Sequence, residues 1–303
     1  MDAEPHAVSR PKAAFGWKPR PRFFQFKSSF TAPCCVDGDG QAANMAACME
    51  RGFPRLAVQP ERAEALSIVG YGPTLLDTWR DIPRPILTVS GAHDFLIGRG
   101  IVPDFHLETD PRPHKVAMLH PHPAVEYLMA SVCDPGMWEK LRGHRVLMWH
   151  ILNGQNTIDW IERHDPGPQR LIGGGSTAGL SAHHVAGVLG WRRFVTFGMD
   201  SCFIDGARHA GPHAGTKPQG LRYAWAGGKW WLTTRMMIVA VEEFLCLLES
   251  YDNITVDPRG DGLLQAKVRE HRKGGDWVFK PEHIKRAFDM PGAGMRAQAA
   301  VIS

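Results

Sequence analysis

Ile68-Val69-Gly70-Tyr71-Gly72-Pro73-Thr74 reads as an apolar strand that runs into two glycines and then a proline suited to the first turn of a helix. Glycines let a ligand come close to the backbone, and N–H groups at a helix start favour an anion. A tight strand-to-helix turn is the plainer reading, because the stretch lacks the full GxGxxG or GxxxxGK(S/T) spacing. Outward from this turn the same rhythm repeats. Residues 65–70, 85–90, 145–149, 170–172, 193–198 and 254–256 read as short apolar strands. Residues 41–51, 92–96 and 124–133 have helical patterns, and a helix runs from Thr177 to about Leu189. Short strands alternating with helices predict an α/β fold with a mainly parallel sheet and helices on both faces.

The chain has 303 residues and a net charge of +4, from 35 Lys+Arg and 31 Asp+Glu. Residues 1–33 hold six of the basic side chains (Arg10, Lys12, Lys18, Arg20, Arg22, Lys27) and two acids, Asp2 and Glu4. The remainder is therefore neutral, which argues against a nucleic-acid binder. This Pro-rich segment, 1–33, is expected to be a flexible basic arm, and 34–303 a single catalytic domain. The six cysteines form no CxxC pair and read as reduced thiols. No N-terminal stretch has the form of a secretory signal, so the cytoplasm is the expected compartment. The most apolar stretch, 230–248, is interrupted by Arg235, Glu242 and Glu243 and reads as a core helix, not a membrane span. Residues 201–228 contain six glycines without a clear period and are expected to form a Gly-rich lid loop. Between Ser201 and Arg235 stand five basic residues (Arg208, Lys217, Arg222, Lys229, Arg235) against one acid, Asp205, a local excess suited to a small anion.

A second glycine turn, Gly173-Gly174-Gly175-Ser176-Thr177, opens a well-patterned helix. Ser176 or Thr177 could cap that helix or bind a ligand oxygen. Strand period two places His106, Glu108 and Asp110 on one side of the segment 105–110. That arrangement fits either a strand facing a cleft or an edge strand with a solvated face. Asp110 and Asp200 each end a strand, and together could hold Mg²⁺. Of the 15 histidines, His209 is the candidate proton carrier. His120 with His122, and His183 with His184, lack the spacing of a metal site.

Three blocks together resemble one family. They are Ile68 to Leu75, then Gly100-Ile101-Val102-Pro103-Asp104 leading to Asp110, and Gly174-Gly175-Ser176-Thr177-Ala178 followed by Leu189-Gly190 and Gly198-Met199-Asp200. They look like the "IVGxGPSL", "GIxPDxxxxxD" and "GSTA…LG…GMD" blocks of the 6-hydroxymethylpterin diphosphokinase MptE-like family, which includes the motility accessory factor (Maf) glycosyltransferases. Thr74 stands where the family more often has Ser. The resemblance implies a Rossmann-like nucleotide site and one of two chemistries. One is Mg²⁺-dependent transfer of diphosphate from ATP to a hydroxymethylpterin-like acceptor. The other moves a nonulosonic acid from a CMP-sugar to a glycan or protein hydroxyl. The chain lacks the long flanking regions associated with Maf proteins, which favours the diphosphokinase branch.

The leading expectation is therefore a diphosphokinase-like transferase. Gly70, Gly72, Pro73, Thr74, Gly174, Gly175, Ser176 and Thr177 would surround the nucleotide, and Lys217 and Arg222 would add cations. Asp110 and Asp200 would hold Mg²⁺, with His209 as a further catalytic group. The alternatives are a CMP-sugar glycosyltransferase and a non-catalytic nucleotide-binding protein. A dehydrogenase is disfavoured because the strand after the first turn carries no acid at its end. Oligomeric state is left open, a homo-oligomer included.

Overall fold

The computed structural model describes residues 36–152, 155–166, 171–212 and 220–287. The expected basic arm, 1–33, and Lys217 lie outside the described residues. The first half of the described chain alternates regularly. Helix α1 (Gly38–Met49) precedes β1 (Ala65–Val69), α2 (Leu75–Thr78), β2 (Ile86–Val89) and α3 (Ala92–Ile97). Next come β3 (Phe105–Glu108), α4 (His114–Met118), β4 (Glu126–Ala130), α5 (Pro135–Lys140), β5 (Arg145–Leu152) and α6 (Gln155–His164). The second half holds β6 (Leu171–Gly173), α7 (Ala178–Val188), β7 (Arg193–Phe197), β8 (Leu221–Ala226), β9 (Lys229–Thr234) and α8 (Arg235–Ser250). It ends with β10 (Thr255–Pro258), α9 (Leu263–Arg272) and β11 (Ile284–Arg286).

Eight of these strands form one sheet in the order β10-β7-β1-β2-β3-β4-β5-β6, and every pairing in it is parallel. The fold is thus α/β and Rossmann-like, as the sequence implied. All four residues of β2 are buried, as are four consecutive residues of β1 and of β4. Consecutive burial means that both faces of the sheet are covered. Helices α1, α5 and α6 pack together, and α7, α8 and α9 form a second group, with α7 lying against β1, β2, β3 and β6. A three-stranded antiparallel sheet, β11-β8-β9, stands apart from the main one. No helix among the described residues is long and apolar enough to cross a membrane.

Three elements differ from the sequence expectation. Residues 124–133, expected as a helix, contain the central strand β4. A strand buried on both faces has no polar side, so its apolar run imitates a buried helix. The apolar stretch 230–248 is two elements, because Thr234 ends β9 and its side chain accepts from the Met237 N–H to cap α8. The expected lid loop, 201–228, is not a loop throughout. It contains a β-bridge between Ile204 and Ala207 and ends in β8. β8 turns into β9 through Gly227-Gly228, whose φ angles of 62° and 80° both need glycine in a two-residue hairpin. In addition, the segment 105–110 is not at an edge: β3 lies between β2 and β4, so the solvated-edge reading falls.

Several polar groups in this core come in hydrogen-bonded chains, which offset the cost of their burial. Ser131 Oγ lies 2.8 Å from His150 Nδ1, and His150 Nε2 lies 2.9 Å from Asp165, which Arg55 grips with both terminal nitrogens. His106 faces Thr88 at 3.1 Å. Asp94 joins two imidazoles, His93 at 2.6 Å and His120 at 2.5 Å. Burial alone would raise the Asp94 pKa, but the bonds from His93 and His120 outweigh it and hold the carboxyl at about 2, against an ordinary 3.8. A carboxyl depressed on folding adds stability that is complete above its unfolded pKa and disappears as pH falls through the folded one. Stability should therefore fall between pH 3.8 and about 2, by on the order of 1–2 kcal/mol from this group. Denaturant unfolding of Asp94→Asn across that range should show a shallower acid slope than the parent.

Candidate functional site

The chain leaves β1 outward through β2 to β6, then returns to place β7 on the other side of β1. Open α/β sheets bind ligands at such a reversal, beyond the carboxyl ends of the strands. The first glycine-rich turn lies there, after β1; the second follows β6, at the far edge of the sheet, and opens α7, which packs back across β3, β2 and β1.

In the first turn, the backbone of β1's exit is laced to β7's exit. Gly70 N–H donates to the Phe197 carbonyl at 2.8 Å and Gly72 N–H to that of Gly198 at 2.7 Å. Thr74 gives Asp200 both its N–H, at 2.8 Å, and its hydroxyl, at 2.5 Å. A Cβ at Gly72 would lie 2.5 Å from Asp200 Oδ2 and 2.6 Å from the Gly198 carbonyl. Gly198, at φ 58°, is equally close to the Gly70 carbonyl. These glycines therefore serve an approach of backbone to backbone, and an internal carboxylate occupies the acceptor position expected for a phosphate. Asp200 is buried at 2% exposure and also receives Gln265 Nε2 at 3.2 Å. Burial pushes its pKa up even though Thr74 and Gln265 donate to it.

The second turn repeats the device nearer the surface. Ser176 donates its N–H at 2.9 Å and its hydroxyl at 2.5 Å to one oxygen of Glu243, on α8. Thr177 is the cap of α7 and accepts from Leu180 N–H at 3.3 Å. Gly174 packs on Ile151, and Gly175 adopts φ 111°. The two turns meet through one residue. A Cβ on Gly179, at the start of α7, would lie 2.6 Å from Met199 Cε, and a Cβ on Gly70 would lie 3.1 Å from Met199 Cγ. Met199 thus fills the space between them.

His209 joins the first turn: its ring stacks on Tyr71 at 5.8 Å, and the Ala210 N–H bonds the Tyr71 carbonyl at 3.0 Å. Pro73 sits inside the turn and accepts from Leu76 N–H. Arg222 lies in β8, on the three-stranded sheet, opposite Thr233 and Arg286.

Asp110 belongs to a different group. Arg112 grips it through Nε at 2.8 Å and through Nη2, and Lys115 Nζ lies 3.9 Å away. Lys115 is buried, 3.5 Å from Glu108 and 3.2 Å from Ser90 Oγ. Burial would raise the Asp110 pKa, but Arg112 and Lys115 together hold it below the usual carboxylate value. Ser90, Glu108, Arg112, Lys115 and Glu243 were absent from the sequence expectation for this site. Only Glu108 carried a signal, as the polar neighbour of Asp110 on one strand face.

Asp110 and Asp200 follow strands β3 and β7, with β1 and β2 between them. At the usual strand spacing that is about 14 Å, and the two carboxylates bond to different residues. Asp200 spends both oxygens on Thr74 and Gln265, while Asp110 is already neutralised by two cations. This pair fits a Mg²⁺ ion poorly. Among the described residues no group of three His, Cys, Asp or Glu is arranged to hold a metal.

Asp200→Ala leaves the N–H and hydroxyl of Thr74 without their acceptor and should cost about 2–4 kcal/mol in denaturant unfolding. Asp200→Asn keeps one acceptor and should cost less than half as much. If Asp200 did no more than await a metal, both variants would unfold like the parent.

No curated protein matches the chain. Among solved structures, the fold is similar to a Maf glycosyltransferase from Magnetospirillum magneticum AMB-1, with a TM-score of 0.55 and 15% identity. The likeness covers 80% of this chain and 42% of that one, so this chain spans less than half the length of that protein. The family model described as 6-hydroxymethylpterin diphosphokinase MptE-like matches residues 40–206, from α1 past β7 and through both glycine turns. On that match, which takes in more than half of the sequence, the chain belongs to the MptE-like family.

Proposed function

We propose that the protein is a nucleotide-dependent transferase, with diphosphate transfer from ATP to a hydroxymethylpterin-like acceptor as its reaction. The observation that carries this reading is that Met199, at the reversal of strand order, packs against both the first glycine turn and the start of α7, the helix that the second turn opens. It assembles two turns, a stacked Tyr71–His209 pair and the Asp110 group along one carboxyl edge. Transfer of a phosphoryl group calls mainly for positioning and charge neutralisation. Lys115 and Arg112 are the cations in place for that, and Arg222, on the three-stranded sheet, stands further off. Ser176 gives its hydroxyl proton to Glu243, so Thr177, which uses its oxygen as an acceptor in capping α7, is the hydroxyl offered to the nucleotide at the more exposed turn. Asp110 orients Arg112 and Lys115, and His209, whose Nε2 accepts from Arg208 Nε at 3.1 Å, is the candidate proton carrier. Mg²⁺, if used, would arrive with the triphosphate and neutralise its charge; the pair Asp110 and Asp200 supplies no ready ion site.

The fold likeness to a Maf glycosyltransferase, across most of this chain, favours a second reading: transfer of a sugar from a CMP-sugar to a glycan acceptor. In that case His209 serves as the base on the acceptor hydroxyl. A nucleotide-binding protein without turnover is the third.

Thermal unfolding with Mg²⁺–ATP, CTP and CMP separates these readings. A ligand at 100 times its Kd adds about 2.7 kcal/mol, which should raise the midpoint by about 5 °C or more. ATP is expected to give that shift. A shift with cytidine nucleotides alone, without metal, selects the glycosyltransferase, and no shift with any of them removes the nucleotide site. Asp110→Asn should lower turnover by about 100-fold. Unchanged Mg²⁺-dependent turnover in that variant would end any role of Asp110 at the reacting group.

A further inference from the structure

Arg222 and Arg286 stand directly opposite each other where β8 pairs with β11, so their side chains leave the same face of the small sheet. Opposed residues of an antiparallel pair lie about 5 Å apart at Cα, and like charges placed there repel. Arg222 is half-buried and Arg286 exposed. Along β8 the same face is otherwise turned inward, since Ala224 and Ala226 are fully buried. A charge drawn partly out of water normally meets a counter-charge. Neither arginine has one: among the described residues no acid pairs with Arg222 or Arg286, and the bond that Arg222 makes is to the Leu221 carbonyl, at 2.9 Å.

Two contacts place the pair beside the carboxyl edge of the main sheet. On its other side Arg222 is opposite Thr233, whose hydroxyl donates to the Ser201 carbonyl at 2.8 Å. Ser201 directly follows Asp200, so the row Thr233–Arg222–Arg286 starts at the exit of β7. At about 5 Å per strand, Arg222 is one strand from that contact and Arg286 two. The row also borders α8, because Leu221 is opposite Thr234, the cap of that helix. A helix N-terminus carries partial positive charge, and α8, 16 residues long, has no acid in its first turn to answer it. Two guanidinium groups and the positive end of a long helix thus gather in one place without a carboxylate on either arginine.

We propose that Arg222 and Arg286 form a phosphate clamp, which holds one phosphate group of the nucleotide or of the acceptor from the side of the small sheet. Guanidinium forks meet phosphate oxygens two at a time, a match that ammonium groups lack. The clamp deepens the reading of the carboxyl edge as a phosphoryl-transfer site and rests on it. Both arginines lie beyond residue 206, where the family match ends, so the clamp belongs to the C-terminal part of this chain. No covalent bond to the protein is involved.

Calorimetric titration with inorganic diphosphate, at low ionic strength, tests the clamp. The parent should bind it. Arg286→Gln should bind about tenfold or more weakly, and Arg222→Gln at least as weakly. Arg286→Lys keeps the charge without the fork and should fall between. Unliganded Arg286→Gln should melt at or above the parent's midpoint, because the opposed charge is gone, which separates lost binding from lost folding. If Arg222→Gln fails to fold, the exposed Arg286→Gln decides alone. Parental affinity in Arg286→Gln overturns the proposal, as does absence of diphosphate binding by the parent. Mg²⁺–ATP titrated into the same variants assigns the phosphate. Weakened ATP binding places the clamp on the nucleotide, and parental ATP binding with weakened diphosphate binding places it on the acceptor. Should nucleotides bind while neither variant alters diphosphate affinity, the clamp falls and the nucleotide reading stands. Should diphosphate bind through the arginines while ATP and CTP do not bind, the clamp stands and the nucleotide reading falls.

Discussion

Asp200 lies between the exits of two neighbouring strands and receives both polar groups of Thr74, a residue 126 positions away. Taking a carboxylate out of water is costly unless donors replace the lost hydration. Here the donors are a backbone N–H, a hydroxyl and an amide, and each is thereby fixed in place. The clamp holds β1's exit against β7's, the two strands where the chain reverses direction across the sheet. Gly70, Gly72 and Gly198 follow from it, because any side chain at these positions would separate the backbones that the clamp draws together. Leu264 N–H bonds the Asp200 carbonyl, so α9 is anchored at the same point.

The layout of the sheet was largely legible in the sequence. Its strands are short apolar runs ended by glycine, and the turn after β1 announces a parallel α/β unit. What was not legible arose from burial on both sides. β4 has no polar face, so nothing in its period marks it as a strand. The hairpin of β8 and β9 was masked for a different reason: Gly227-Gly228 looked like part of a glycine-rich loop, although two adjacent left-handed residues are what a tight hairpin needs. The junction at Thr234 was hidden inside an apolar stretch, where one capping hydroxyl separates a strand from a helix.

The site was legible in its positions and less so in its chemistry. Both glycine turns could be found from spacing alone. That their donors are met by Asp200 and Glu243 could not, because pairings between residues 126 and 67 positions apart are a product of the fold. The same applies to Lys115. In sequence it is one lysine near a histidine and a valine, and only the packing of α4 brings it beside Ser90 and Glu108. Asp110 and Asp200 looked equivalent as acids at strand ends. They differ because two cations outweigh burial at Asp110, whereas at Asp200 burial outweighs the neutral donors, so their proton affinities move in opposite directions.

Met199 gives the edge a further property. The gap between the two glycine turns is filled by an unbranched thioether, whose several rotatable bonds let it change shape at little cost. A β-branched residue there would act as a rigid shim with one setting. With methionine, the contact between the first turn and the start of α7 is made by a compliant filler, while the clamp at Thr74 is held by hydrogen bonds. A methyl group added at Gly179 would thus meet the movable end of a side chain, whereas one added at Gly198 would meet fixed backbone.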